Sequence, residues 1–351
     1  MIWSWKSGSG KTRRVSPFPV IPDDSSDDFR RVTVVAGGAS PEREISLASG
    51  RAVTGALKSL GIDVREIDPV DASLAGRDWC DGEVVLLALH GSGGEDGTVQ
   101  AELESLDVTY TGCGVESSRL AFSKSRTKVR FGEHGVPTPG AVTLGPGFDP
   151  RTLDELLAQF GLPLVVKPDT QGSSVGVRLV ESPSAFSAAV AEGFRLGEHV
   201  LVERAVAGEE WTVGFLDTWA LPPVRIKTPR PFFDFEAKYH DDRTELEFPA
   251  VEPGSTAERV VAVARRACKA LATRGLVRVD LRVDEWQRPW VLEINTIPGL
   301  TDHSLVPREA AHAGLTLGQL CQRMIGSAQS EPRGWHIRQD QMVRSAVAGV
   351  S

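Results

Sequence analysis

From Leu276 to Val283 apolar and polar positions alternate without a break. Val277, Val279, Leu281 and Val283 fall on one side, and Leu276, Arg278, Asp280 and Arg282 on the other. That period predicts a strand with one buried face. After a polar turn containing Pro289, Trp290 to Asn295 predicts a returning strand. Its period of two sets Glu293 and Asn295 on one face and Leu292 and Ile294 on the opposite one. Paired as a hairpin, the two strands bring Asp280, Glu293 and Asn295 together beside Arg278. Carboxylate and amide oxygens of this kind suit Mg²⁺ or Mn²⁺ completed by the phosphates of a nucleotide. A half-exposed hairpin with a solvated polar face shows the same spacing, and spacing alone does not separate the two.

Upstream, Arg31 to Ala36 predicts a short apolar strand, followed by Gly37 to Ser40 and a helix from Pro41 to about Leu60. Ser40 is suited to the N-cap and Pro41 to the first helical position. Glu42 then lies in the first turn. An acid there is favoured by the helix dipole, and it also stands at the strand–loop–helix mouth where α/β folds bind ligands. Val64 to Ile67 and Glu83 to Leu89 predict two further strands. The second of these enters the loop His90 to Gly97, whose many glycines imply close approach of the backbone to something else. This β-α-β alternation predicts an open parallel sheet.

A helix is expected from Val115 to His134, with Lys124 and Lys128 four apart on one face. Leu162 to Pro168 predicts a strand carrying Lys167, and Asp169 to Val177 a hairpin loop of small residues. Its backbone N–H groups and the hydroxyls of Ser173 and Ser174 suit a polyphosphate whose charge Lys167 neutralises. By itself a Gly/Ser hairpin is weak testimony. Val200 to Arg204 predicts another strand, and the irregular hinge after it fits an adenine slot, with Glu210 placed for a ribose.

Length and charge narrow the classes. A chain of 351 residues is long enough for two or three domains. A net charge of −8 without a long basic run argues against nucleic acid and anionic membranes as partners. The four cysteines form no CxxC pair, so neither a zinc site nor a disulfide framework is signalled. No apolar run reaches membrane-spanning length, and residues 1–30 lack the apolar core of a signal peptide. A cytoplasmic location is the expectation. Residues 1–30 mix Trp3, Trp5, a basic patch and an acidic run without periodicity, and are expected to be a poorly ordered arm. The GSGKT within it, Gly8 to Thr12, is no P-loop: Trp5 stands where the first glycine is needed, and no strand precedes it.

Taken in order, Lys167, the GSSVG loop, the hinge strand at Glu203 and Asp280…Glu293-x-Asn295 resemble the ATP-grasp superfamily. More specifically, GGASPEREISLASG, LHGSGGEDGTVQ, KPDTQGSSVGV, FDFEAKY and EINTIPGLTDHSLVP resemble the D-alanine–D-alanine ligase family over about residues 31–326. The resemblance implies an α/β ATP-grasp fold in three parts: an N-terminal open parallel-sheet domain (31–122), a central lid domain (123–208) and a C-terminal catalytic domain (209–326). Residues 1–30 and 327–351 would be an extension and a tail. It implies two D-alanine molecules and ATP as substrates, two Mg²⁺ or Mn²⁺ ions and a homodimer. The family's reaction joins the two D-alanines through an acyl phosphate, supplying a peptidoglycan precursor.

By matching motif, Lys124, Lys167 and Lys238 would serve the nucleotide, and the loop Gly172 to Gly176, with Ser173 and Ser174, would close over its phosphates. Glu203, Arg204 and Val206 would surround adenine, and Glu210 the ribose. Asp280, Glu293 and Asn295 would bind the two metal ions. Arg278 and the Gly299 N–H would stabilise the tetrahedral oxyanion. Glu42 would hold the first substrate's ammonium, with His90 nearby, and Ser304 and the Leu305 amide the second substrate's carboxylate. Ser173 and Tyr239 would join Glu42 in a hydrogen-bonded set that holds the lid shut. Family members that form the ester with D-lactate carry histidine in the loop of Tyr239, so Tyr239 implies an amine nucleophile. His240 directly after it departs from the pattern, and so does Ala205, where the family often has an aromatic. The alternatives are an ATP-grasp ligase of specialised metabolism joining another amino-acid pair, and a non-catalytic nucleotide-binding regulator. Intact lysine and metal positions speak against the second.

Overall fold

The computed structural model describes residues 29–230 and 243–329. Residues 1–28 with GSGKT, residues 330–351, and Lys238, Tyr239 and His240 lie outside the described residues, while 327–329 of the expected tail instead end the last helix, with Ala328 in the core. The first apolar runs form a parallel four-stranded sheet from β1 (Arg31–Val35), β2 (Val64–Ile67), β3 (Glu83–Leu87) and β4 (Thr109–Tyr110), in the order β2-β1-β3-β4. Helix α1 (Arg43–Ser59) starts later than expected: Glu42, not Ser40, is its N-cap residue. The Ser40 hydroxyl donates to the His90 carbonyl at 2.6 Å and accepts the Glu42 N–H at 3.2 Å. That ties Ser40 to the neighbouring loop and leaves the helix to begin beyond it. Helix α2 (Thr98–Ser105) follows the glycine-dense loop.

The single helix expected from Val115 to His134 is two, α3 (Val115–Phe122) and α4 (Lys124–Glu133). They break at Ser123, whose φ of −90° and ψ of 109° are extended. Its hydroxyl donates to Asp169 at 2.8 Å, and the same carboxylate accepts the Ser125 N–H at 2.6 Å. A contact distant in sequence imposes the break, so periodicity does not reveal it. Next come β5 (Ala141–Leu144), α5 (Arg151–Phe160), β6 (Leu164–Pro168), β7 (Arg178–Val180), α6 (Pro183–Leu196) and β8 (Val200–Arg204). Their strands make an antiparallel sheet in the order β5-β8-β6-β7.

The third sheet runs β12-β11-β9-β13-β14, built from β9 (Glu209–Leu216), β11 (Val224–Lys227), β12 (Glu245–Glu247), β13 (Leu276–Val283) and β14 (Pro289–Asn295), with β10 (Trp219–Ala220) paired to β9. On β13, Val277, Val279, Leu281 and Val283 are at most 1% exposed and pack with Val260, Ala264 and Ala267 of α7 (Thr256–Ala270). Helix α8 (Leu305–His312) leads to α9 (Leu317–Gln329), which returns to the first sheet: Leu320, Met324 and Ile325 share a core with Val32, Val34 and Leu57.

The expected hairpin of β13 and β14 is present and pairs Asp280 with Glu293 and Arg278 with Asn295, with one correction to the expected faces. Leu292 does not lie opposite Glu293 but lines the same pocket, while Val291 and Ile294 enter the core. The register shifts at Asp280/Leu281, so β14 carries an extra residue at Leu292. A bulge of this kind re-aims one side chain and breaks the period of two.

Because Leu281 is fully buried at the centre of this sheet, Leu281→Ala should cost about 2–5 kcal/mol in a denaturant titration. A loss below about 1 kcal/mol would contradict this packing.

Candidate active site

Three strands present their polar faces side by side. Arg278 lies opposite Gly214 on β9 and Asn295 on β14, Asp280 opposite Thr212 and Glu293, and Arg282 opposite Glu210. The Arg278 guanidinium grips Asp280 with two bonds of 2.8 Å, the Thr212 hydroxyl donates to it at 2.7 Å, and the Asn295 amide at 3.0 Å. Glu293 faces Lys124 at 3.6 Å. Among the described residues no group of three or more His, Cys, Asp or Glu side chains forms a metal cluster. This set needs the Asn295 amide as its third donor and outside oxygens to complete a shell. The four bonds occupy the acceptor positions of the Asp280 carboxylate, so a cation there would displace some of them. The carboxylate and amide oxygens of Asp280, Glu293 and Asn295 are the donor type that a hard divalent cation takes.

Sequence reasoning missed a neighbour beneath this face. Glu309 on α8 is fully buried and accepts the Gly214 N–H at 2.8 Å. Burial pushes its carboxyl well above the ordinary range, against the pull of Arg278. Gly214 makes the room, since a Cβ there would lie 2.3 Å from a Glu309 oxygen.

The second and third sheets enclose a pocket lined by Lys124, Lys167, Glu203, Glu210, Asp280 and Glu293, with Arg204 to Val206 at its hinge side. Glu203, 2% exposed, receives Lys167 at 2.5 Å and Lys128 at 2.8 Å. Burial pushes the Glu203 carboxyl up, but the two ammonium groups outweigh it and hold the carboxyl below its ordinary value. Burial lowers Lys128, with Lys167 adding to the effect, and Glu203 only partly restores it. Lys128 also donates to Thr138 and to the Pro139 carbonyl, at 2.7 and 2.8 Å. Its spacing from Lys124 was visible in the chain, but its reach to Glu203 depends on how α4 meets β8. Lys124 donates to the Gln171 carbonyl at 2.6 Å, tying α4 to the loop that follows β6.

That loop folds over the opposite end of the site. The Ser173 hydroxyl donates to Glu42, and Ser173 and Ser174 both hold left-handed φ values, 47° and 59°. Such backbone costs free energy and persists where surrounding contacts impose it. Two glycines flank the Glu42 carboxylate, and a Cβ at either Gly91 or Gly172 would come within 2.6 Å of it. Glu95 is pushed up to about 8 by burial and by the Glu42 charge, and it accepts the Gly91 N–H at 3.3 Å. It was absent from the expected set, because the burial that makes it unusual is a property of the fold.

The His90 ring occupies both nitrogens internally, with Ser49 and with the Ile297 carbonyl, each at 3.0 Å. Burial, with Arg278 adding to it, lowers its pKa to about 4, so the ring is neutral at neutral pH. Ser49 also accepts the Leu300 N–H at 3.2 Å, so this pair ties the first sheet to the loop after β14. In that loop Gly299 lies against Ser304, whose hydroxyl a Cβ would approach to 2.7 Å. Ser304 is the N-cap residue of α8 and Leu305 its first residue, a helix N-terminus with N–H groups suited to an anion. Of the expected set of Glu42, Ser173 and Tyr239, the first two are in contact and the third lies outside the described residues.

A lid sheet and a catalytic sheet closing over a lysine-lined pocket, with paired carboxylates on a hairpin at its floor, place this protein in the ATP-grasp class of enzymes. A family model described as "D-ala D-ala ligase C-terminus" matches residues 138–326. The D-alanine–D-alanine ligase of Chromohalobacter salexigens is 44% identical over 303 residues, 86% of this chain and 96% of the relative. That of Halorhodospira halophila is 44% identical over 310 residues, 88% and 98% of the two chains. A D-alanine–D-alanine ligase structure from Bacillus anthracis, complexed with ATP, superposes with a TM-score of 0.74 at 29% identity, covering 89% of this chain and 99% of that one. A D-Ala:D-Ser ligase structure from Enterococcus faecalis gives a TM-score of 0.75 at 26% identity, over 86% and 99%. The chain belongs to the D-alanine–D-alanine ligase family.

Glu203→Gln would leave two buried lysines facing a neutral amide. Breaking one partner of a buried ion pair costs about 3–5 kcal/mol, and urea unfolding should show a loss of that size. A change below about 1 kcal/mol would mean that the cluster is not the buried charge pair described.

Proposed function

We propose that the protein joins two D-alanine molecules into D-alanyl-D-alanine with conversion of ATP to ADP and phosphate, supplying a precursor of peptidoglycan. The observation that carries this reading is the single polar face where Arg278, Asp280, Glu293 and Asn295 meet, with Lys124 beside Glu293 and the Glu42–Ser173 contact closing the lid. Nucleotide chemistry and amino-acid recognition then share one floor.

In this reading Glu203, Arg204 and Val206 receive adenine and Glu210 the ribose. Lys124 and Lys167 hold phosphates under the Gly172–Gly176 loop with Ser173 and Ser174, and Lys238 joins them from outside the described residues. Asp280, Glu293 and Asn295 would hold two divalent cations, Mg²⁺ or Mn²⁺, which when bound neutralise phosphate charge. Glu42 holds the ammonium of the first D-alanine, leaving its carboxylate to attack the γ-phosphate. The product is an acyl phosphate. The amine of the second D-alanine attacks that carbonyl, with its own carboxylate on Ser304 and the Leu305 N–H. Arg278 and the Gly299 N–H stabilise the developing oxyanion, and phosphate leaves. Catalysis of this kind is positioning and electrostatic stabilisation. His90 contributes by holding the Ile297–Leu300 loop in place. Closure of the loop, with Tyr239 completing the set, keeps water from the acyl phosphate.

The domain division proposed is 31–122, 123–208 and 209–326. A homodimer in the cytoplasm accompanies the reading; among the described residues no helix is long and apolar enough to cross a membrane. The similarity to a D-Ala:D-Ser ligase structure keeps a second reading, a ligase of another amino-acid pair, within the same chemistry.

Phosphate release from ATP and Mg²⁺, scanned over D-alanine, D-serine, D-lactate and the L-amino acids with products identified by mass, separates them. Strong D-alanine-dependent release with dipeptide formation is expected. Release only with another pair would remove the peptidoglycan role. In the same assay Glu293→Gln should lower turnover by at least roughly 100-fold with an unchanged circular dichroism spectrum. Near-normal turnover of that folded variant would refute the metal assignment.

A further inference from the structure

One charged side chain on the site face has no part in the chemistry described above. Arg282 stands two residues along β13 from Asp280, directly opposite Glu210 on β9, in the wall of the nucleotide pocket. Its guanidinium meets the Glu210 carboxylate at 3.2 Å, and the two side chains are only 19% and 14% exposed. The other donors of the same group reach back to the chain between β8 and β9, to the Val206 carbonyl at 3.2 Å and the Gly208 carbonyl at 2.8 Å. That connection links the lid sheet to the catalytic sheet and supplies the hinge side of the pocket. It passes hard against β13: a Cβ at Gly208 would lie 2.0 Å from the Val283 carbonyl, and Gly208 holds a φ of 134°.

We propose that Arg282 is a positioning residue for the nucleotide, holding the 206–208 hinge and the Glu210 carboxylate in their ligand-receiving geometry before ATP arrives. This rests on the reading of the pocket as the ATP site and of Glu210 as its ribose acceptor. Three acceptors, two from the connection between β8 and β9 and one from β9 itself, converge on one planar fork of five N–H donors. Lysine, a point charge on a flexible stem, cannot reproduce that geometry. An ion pair between long exposed side chains would be worth little. This one is mostly shielded and is anchored by two backbone carbonyls, so it fixes the chain as well as the charge. Preorganisation of this sort lowers the cost of ordering the site when ligand binds. The effect belongs to ATP affinity and to recognition of the ribose hydroxyls, because Arg282 lies on the nucleotide side of Asp280 and away from Glu42.

The test compares the full chain with Arg282→Met, which keeps the apolar stem and removes every donor, and with Arg282→Lys, which keeps the charge. ATP binding is measured by calorimetry without amino acid, then KM and kcat are measured with ATP and D-alanine varied separately. The Met variant should weaken ATP binding and raise the KM for ATP roughly tenfold, change kcat less than twofold and leave the KM for D-alanine unchanged. The preference for ATP over 2′,3′-dideoxy-ATP should fall by a similar factor, which loss of a purely structural contact would not bring about. Lysine should recover part of the loss. An ATP affinity within twofold of the parent, an undiminished ribose preference, or equal losses for both substrates would overturn the proposal. Were Arg282→Met to misfold, the Lys variant carries the same comparison, with a smaller loss of the same pattern expected and parent-like ATP binding overturning the proposal. If the parent binds ATP but does not turn over D-alanine, the functional reading fails while the role of Arg282 is still decided by calorimetry.

Discussion

Two carboxylates stand opposite each other across neighbouring strands, Asp280 on β13 and Glu293 on β14, and the rest of the site is arranged around that repulsion. Like charges in facing cross-strand positions destabilise a sheet. Arg278 answers one with a bidentate grip, Lys124 approaches the other, and Thr212 and Asn295 complete the hydrogen bonding of Asp280. The arrangement holds because the reverse face of β13 is fully buried against α7, which fixes the direction of every polar side chain. One strand thus supplies a core on one side and a charged floor on the other.

From this floor the remaining elements follow as ways of bringing further charge to the same place. In the Lys128–Glu203–Lys167 cluster one buried carboxylate partners both ammonium groups and leaves one positive charge in excess at the pocket wall. The lid loop carries strained serines over to Glu42 at the N-terminus of α1, and the His90–Ser49 pair ties the first sheet and α1 to the loop bearing Gly299 and Ser304. Helix α9 returns to pack on the first sheet, so the N-terminal and C-terminal parts of the chain share one core. Three sheets distant in sequence are held to one site by short polar contacts, which suits a reaction governed by positioning.

The strands that build the floor were legible in the chain because their period reports burial directly: Leu276 to Val283 gave the limits of β13 and its inward face. Where tertiary contacts override local pattern, legibility ended. Asp169 splits the helix expected across Ser123, a bulge turns Leu292 toward the pocket, and the His90 carbonyl draws Ser40 away from the helix cap. The motifs named residues that meet in the pocket, yet Glu95 and Glu309, and the contacts of Lys128 with Glu203 and of Arg282 with Glu210, emerged only with the fold. Their distinguishing property is what surrounds them, and no spacing in one dimension encodes that.

A crystal structure of the full chain with ADP, Mg²⁺ and a phosphorylated transition-state analogue tests the central claim most directly. The account predicts divalent cations held between the phosphates and the side-chain oxygens of Asp280, Glu293 and Asn295, with Arg278 turned to the tetrahedral centre. Cations bound elsewhere, or a nucleotide outside the pocket between the lid and catalytic sheets, would contradict it.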